Sequence, residues 1–218
     1  MKNEIAKNNV TELVFILDRS GSMSGFEADV VGGFNATLAS QREKEGTAYV
    51  STVLFNNYSH VLHDRADIQE VNPLLKKDFT VGGCTALYDA VGDAIHHIGN
   101  VHKYARKEDV PAHTVFVITT DGQENASTRY SMADVKAMIQ QKTEKFGWEF
   151  LFLAANIDAE RAAQDIGIRK ERAANYRQSP KGYKTSYRAM DMAISSLREE
   201  RAKDLNLATM VKEEEQKG

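Results

Sequence analysis

The stretch "FILDRSGSMSG", residues 15–25, follows three apolar residues with an aspartate and three serines. Phe15, Ile16 and Leu17 read as the end of a buried strand. Asp18, Ser20, Ser22 and Ser24 follow at every second position, with Gly21 and Gly25 among them. A chain that leaves a hydrophobic core and presents a carboxylate and two hydroxyls as Asp-x-Ser-x-Ser is building a helix cap, a nucleophile loop or part of a cation site. The glycines let the backbone turn tightly there.

Working outward, apolar runs alternate with helical patterns. Strands are expected at 11–17, 48–56, 58–65, 113–120, 148–156 and, weakly, 173–178. Helices are expected at 26–46, 85–106, 131–147, 158–168 and 184–205; the first two carry apolar residues near a 3.6-residue period, and the third starts at a serine cap and ends at a glycine. The run 48–65 turns back on itself at Asn56-Asn57 and reads as a hairpin. The segment 113–120, "HTVFVITT", is the most apolar and belongs at the sheet centre. This alternation predicts an α/β fold: a doubly wound, mostly parallel six-stranded sheet with one antiparallel edge strand and helices on both faces. We divide the chain into an amino-terminal extension (1–10), one domain (11–205) and a charged, flexible tail (206–218).

Composition narrows the function. The 218 residues suffice for one domain that buries roughly 70% of its unfolded surface. A net charge of −3 offers no basic surface for nucleic acid. No stretch approaches the ~20 apolar residues of a membrane-spanning helix. The amino terminus has no apolar core of a signal peptide. A single cysteine, Cys84, excludes an internal disulfide and a thiolate zinc cluster. Together these point to a cytoplasmic protein.

In an open parallel sheet, ligands sit beyond the carboxyl ends of the strands. Three loops leave those ends with unusual polar residues: Asp18 to Ser22, Gly82 to Thr85, and Thr119-Thr120-Asp121-Gly122. Two carboxylates and three hydroxyls are hard oxygen donors. They suit Mg²⁺, with Mn²⁺ or Ca²⁺ as substitutes. Asp18 and Asp121 together balance a divalent charge and no more. Such an ion stays electrophilic, and a carboxylate from another molecule can complete its shell.

Each loop also has a plain reading. Ser20, Ser22 or Thr85 can cap a helix; Asp121 can close an Asp-Gly turn. Asp89, one helical turn after Thr85, orients that hydroxyl, makes a buried polar contact or is a solvated aspartate. Glu124 and Asn125 line the rim or form a solvated turn. Arg19 reads as an exposed arginine, Cys84 as a small packed residue, and Trp148 as core. His96 and His97 read as surface and packing residues, and His60 and His63 belong to the edge hairpin.

The three loops, in this order, resemble the metal-ion-dependent adhesion site of von Willebrand factor type A domains. The likeness runs from Thr11 to about Leu205. It implies Asp18, Ser20 and Ser22 as metal ligands, with Thr85 and Asp121 binding directly or through water. It implies a domain that binds another protein through an acidic side chain, without catalysis. The chain looks like the stand-alone bacterial intracellular members. The competing expectation is a Mg²⁺-dependent hydrolase or phosphatase with Asp18 or Ser20 as nucleophile. Against it, the loops supply no histidine or lysine, and "LDRSGS" has no second aspartate two residues after the first. Neither a Gly-x-Ser-x-Gly elbow nor a phosphate-binding loop is present. A scaffold whose partner docks elsewhere is a third expectation.

Overall fold

The computed structural model describes residues 9–202 and 204–217. Six strands form one sheet: β1 (Val10–Asp18), β2 (Thr47–Phe55), β3 (Ser59–Asp67), β4 (His113–Thr120), β5 (Glu149–Ala154) and β6 (Ala173–Asn175). Their order is β3-β2-β1-β4-β5-β6, and only β3 runs antiparallel, paired with β2. The expected doubly wound, mixed sheet is therefore the observed one. The expected amino-terminal extension, 1–10, lies almost wholly outside the described residues.

Period-two alternation in β1 divides the core in two. Leu13, Phe15 and Leu17 face one layer, where α1 (Glu27–Arg42), α5 (Pro180–Arg198) and α6 (Leu207–Lys217) pack. Val14 and Ile16 face the other, covered by α2 (Leu87–Tyr104), α3 (Met132–Phe146) and α4 (Ala159–Asp165). Helices on both faces explain why β1 and β4 are apolar almost throughout rather than alternating. Phe15 meets Phe34 of α1 edge to face, with ring centroids 5.2 Å apart. On the opposite face Phe116 stacks between Trp148 and Phe150. Gly33 of α1 lies against the ring of Tyr187 of α5, where a Cβ would clash.

Local chemistry sets the helix ends. Ser131 and Asp134 form a reciprocal capping box on α3, and Gly147 ends it at φ +66. Ser179 caps α5, followed by Pro180 in the first turn, so this helix begins four residues before the expected 184. It also stops earlier, at Arg198, because Glu200 turns to φ +55.

The expected flexible tail is a correction. Residues 207–217 form α6, with Leu207 and Val211 in the core and Glu214 buried. Spacings of four and three put these three residues on one helix face. The run of glutamates masked that stripe. Arg172, itself buried, donates through Nη1 to the Leu205 carbonyl at 2.7 Å and fixes the approach to α6.

The strand order places β1 between β2 and β4, so successive connections leave β1 in opposite directions. The switch point lies at the carboxyl ends of β1 and β4, where Leu17 pairs with Thr119. Asp18 and Asp121 emerge there side by side.

Candidate metal centre

Asp18 is the last residue of β1 and is fully buried. Its Oδ1 accepts the Ser20 N–H at 2.7 Å, and its Oδ2 accepts the Thr120 hydroxyl at 2.7 Å. The first of these bonds curls the loop so that the next alternate side chains converge. Ser20 Oγ lies 3.1 Å from Ser22 Oγ, and Ser22 donates to Asp121 Oδ1 at 2.5 Å. Asp18, Ser20 and Asp121 are buried, whereas Ser22 is exposed. The cluster therefore opens to solvent on the Ser22 side.

Thr85 reaches the cluster from the second loop. A Cβ built on Gly122 would sit 3.7 Å from both Ser22 Oγ and Thr85 Oγ1. Gly122 thus marks the space between the first and second loops, and a larger residue there would protrude between those two hydroxyls. All five candidate residues are brought together.

Backbone bonds stitch the loops to one another. Gly21 N–H donates to Gly83 O at 3.0 Å, and Gly82 N–H donates to Arg19 O at 2.9 Å. Thr85 N–H donates to Asn125 Oδ1 at 2.9 Å, and Asn125 N–H returns to Thr85 O at 3.0 Å. The plain capping readings fail here. The residues at the starts of α1 and α2 are Phe26 and Ala86, and neither helix start has a side-chain cap bond.

Asp89 does not orient Thr85. Its carboxylate accepts the N–H groups of Thr128, Arg129 and Tyr130, which pins the loop after β4. Burial pushes the Asp89 carboxyl up, but these three donors and Arg129 outweigh burial and hold it below its ordinary pKa. Glu124 likewise accepts from the N–H groups of Tyr88, Ala126 and Ser127 and from the Ser127 hydroxyl. Cys84 is exposed rather than packed. Arg19 is half-buried rather than exposed, and its Nε has no hydrogen-bond partner among the described residues. His96 and His97 lie on the surface, the latter 2.7 Å from Asp64 Oδ1, and Trp148 is core.

Sequence reasoning missed three residues. Thr120 binds Asp18, as described. Gln178 donates through Nε2 to Asp121 Oδ2 at 2.7 Å and to the Ser22 carbonyl at 3.0 Å. Asn156, at φ +58, donates to Gln178 Oε1 at 2.8 Å and to the Asp121 carbonyl at 3.2 Å. Thr120 belongs to the same polar loop as Asp121, Thr119-Thr120-Asp121-Gly122. Gln178 carries no local signal.

Electrostatically the site is short of positive charge. Burial raises the pKa of Asp18 against hydrogen bonds from Thr120 and Ser20, and Asp121 adds a like charge. Burial also raises that of Asp121, against bonds from Ser22 and Gln178. Neither carboxylate has an ion-pair partner among the described residues. Two buried carboxylates ringed by hydroxyls, with no cationic side chain paired to them, are a donor set that fits a hard divalent ion.

Residues 12–203 match the von Willebrand factor type A domain family, and the chain belongs to it. Domains of this family generally mediate protein–protein interactions, with a divalent metal in many. Solved structures share the fold. A von Willebrand factor type A protein from Catenulispora acidiphila aligns with TM-score 0.56 and 18% identity, covering 85% of this chain and 42% of that one. Proximal thread matrix protein 1 from the mussel byssus, with a zinc-occupied MIDAS motif, aligns at 0.58 and 15%, covering 85% and 46%. The conserved hypothetical protein BatB from Bacteroides thetaiotaomicron aligns at 0.54 and 12%, covering 87% and 99%. The chain thus spans less than half the length of the first two. No curated protein matches it in sequence. No helix among the described residues is long and apolar enough to cross a membrane.

Proposed function

We propose that this protein is a metal-dependent protein-binding module. Asp18, Ser20, Ser22, Thr85 and Asp121 hold a divalent cation, Mg²⁺ in the cell, and the cation takes an aspartate or glutamate of a partner. One observation carries this reading: Asp18 and Asp121 converge in a buried, hydroxyl-lined cluster with no counter-charge among the described residues. The two carboxylates balance the ion without over-neutralising it, so its attraction for an incoming carboxylate persists. The side chains bonded around the cluster, Thr120, Gln178, Asn156 and Asn125, are hydroxyls and amides suited to positioning oxygen. They offer no general base, which favours binding over catalysis. The zinc-occupied adhesion motif of the mussel protein supports a metal at the corresponding loops. We further propose that the protein works in a bacterial cytoplasm, the location that the resemblance read from its sequence implies; its single cysteine, Cys84, is free.

The test is calorimetric titration of Mg²⁺ and Mn²⁺ into wild type and Asp18→Ala, followed by partner capture in Mg²⁺ and in EDTA. The reading expects one metal site per chain, lost in Asp18→Ala, and a partner retained only by the metal-loaded wild type. Equal metal uptake by the variant overturns it. So does Mg²⁺-dependent turnover of p-nitrophenyl phosphate that Asp18→Asn abolishes, which establishes a hydrolase instead.

A further inference from the structure

A second concavity lies at the opposite end of the sheet. A cleft of about 720 Å³ opens between α2 and α3, beside Thr114 and Trp148 at the starts of β4 and β5. That volume falls within the range of small-molecule sites. Its apolar lining includes Ile95, Met138, Phe146 and Trp148, of which Phe146 is 62% exposed. Its charged lining is of one sign. Lys103, Lys142 and Lys145 contribute, and no carboxylate does.

The three lysines are not equivalent. Lys103 and Lys145 sit in the last turns of α2 and α3, where a cation complements the negative helix end. Lys142 lies before the last turn of α3. Its ammonium stands 5.0 Å from the Phe146 ring centre and 4.8 Å from that of Trp148. Its ammonium has no hydrogen-bond or ion-pair partner among the described residues, while its carbonyl accepts the Trp148 N–H at 3.3 Å. Burial lowers its pKa from the ordinary lysine value. It is a half-buried cation on an aromatic floor that lacks an anion.

We propose that this cleft binds a small organic anion, with an apolar body against Ile95, Met138 and Trp148 and its acidic headgroup on Lys142. Cation–π contacts compensate a lysine in part. A charge-assisted bond to an acidic headgroup supplies what is missing. The cleft is at the amino-terminal ends of the strands, so its occupancy is separate from the cation at the carboxyl ends.

The chain contains one tryptophan, Trp148, so emission excited beyond the tyrosine band comes from the cleft wall, and the Lys142→Gln comparison assigns the dye to the cleft. The probe is 1-anilinonaphthalene-8-sulfonate, an aromatic sulfonate, titrated in EDTA and again in Mg²⁺. We expect saturable quenching of Trp148 with sensitised dye emission at one site per chain, unchanged by Mg²⁺. Neutral N-phenyl-1-naphthylamine is expected to bind at least about tenfold more weakly. Lys142→Gln is expected to weaken the sulfonate about tenfold, as befits one bond to a charged group, and to leave the neutral dye unaffected. Thermal melts of the free proteins confirm that the variant is folded, and Lys103→Gln, with a smaller loss, provides a second reading. Unsaturable quenching, equal affinity for the neutral dye, or a Lys142→Gln titration that overlays wild type overturns the proposal.

Discussion

Gln178 Nε2 and Asp121 Oδ2 lie 2.7 Å apart although 57 residues separate them in the chain. The amide comes from the turn before α5, and the carboxylate from the loop after β4. With Ser22 on Oδ1, both Asp121 oxygens are engaged. Gln178→Ala leaves one oxygen of a buried carboxylate unsatisfied. We expect a loss of about 1–3 kcal/mol in metal-free protein, measured by urea denaturation in EDTA. A change below about 0.5 kcal/mol would show that water replaces the amide at no penalty.

Metal binding itself is expected to stabilise the fold. Saturation at a hundred times the Kd adds about 2.7 kcal/mol, which raises Tm by about 5–10 °C in a chain of this size. Scanning calorimetry with and without Mg²⁺ reads the shift. Asp18→Ala and Asp121→Ala are expected to remove it. A rise that survives either substitution would place the ion elsewhere.

The pH dependence of the metal-free protein has a definite sign. Asp18 and Asp121 have folded pKa values raised above the ordinary carboxylate value. The native state then holds more protons than the unfolded one between the two values, so stability falls as pH rises through that window. Asp18→Asn removes the Asp18 share. Thr120 can accept from the new amide, because a second acceptor for its hydroxyl, the Gly122 carbonyl, lies 3.2 Å away. We expect the stability of Asp18→Asn relative to wild type, in EDTA, to increase from pH 4 upward and then level off. A difference that is flat with pH contradicts the raised pKa. Asp89 works in the opposite direction: its lowered pKa supports the fold at neutral pH and that support is lost as pH falls.

The α6 helix makes a prediction about the carboxyl terminus. Leu207 is fully buried, so Leu207→Ala is expected to lose about 2–5 kcal/mol. Chemical denaturation measures it. A frayed terminus would give almost none.

Most of the architecture was legible because it is written in local periodicity. "HTVFVITT" has no polar face, so it belongs between two helical layers, and β4 is there. The five oxygen donors were legible for a related reason. Asp18, Ser20, Ser22 and Asp121 lie within a few residues of the ends of β1 and β4, which the strand order brings together, and Thr85 stands just before α2. What escaped is contact between distant segments. Gln178 is one glutamine in a polar stretch, Arg177 to Lys181, until the fold sets it against Asp121. Glu124 looked like a solvated rim residue, yet backbone N–H groups occupy its carboxylate. The α6 stripe was hidden because its buried members are only Leu207, Val211 and Glu214, within a run rich in charge.

Asp18 closes a strand hydrogen-bonded along both sides, and the loops beyond it are tied by Gly21 to Gly83 and by Gly82 to Arg19. The anchor of the proposed cation cradle therefore moves only when the centre of the sheet moves. Its amides belong among the slowest to exchange with deuterium. An ion entering such a rigid ring meets a geometry fixed beforehand, so the speed of its exchange is governed by how fast the ion sheds water rather than by breathing of the protein.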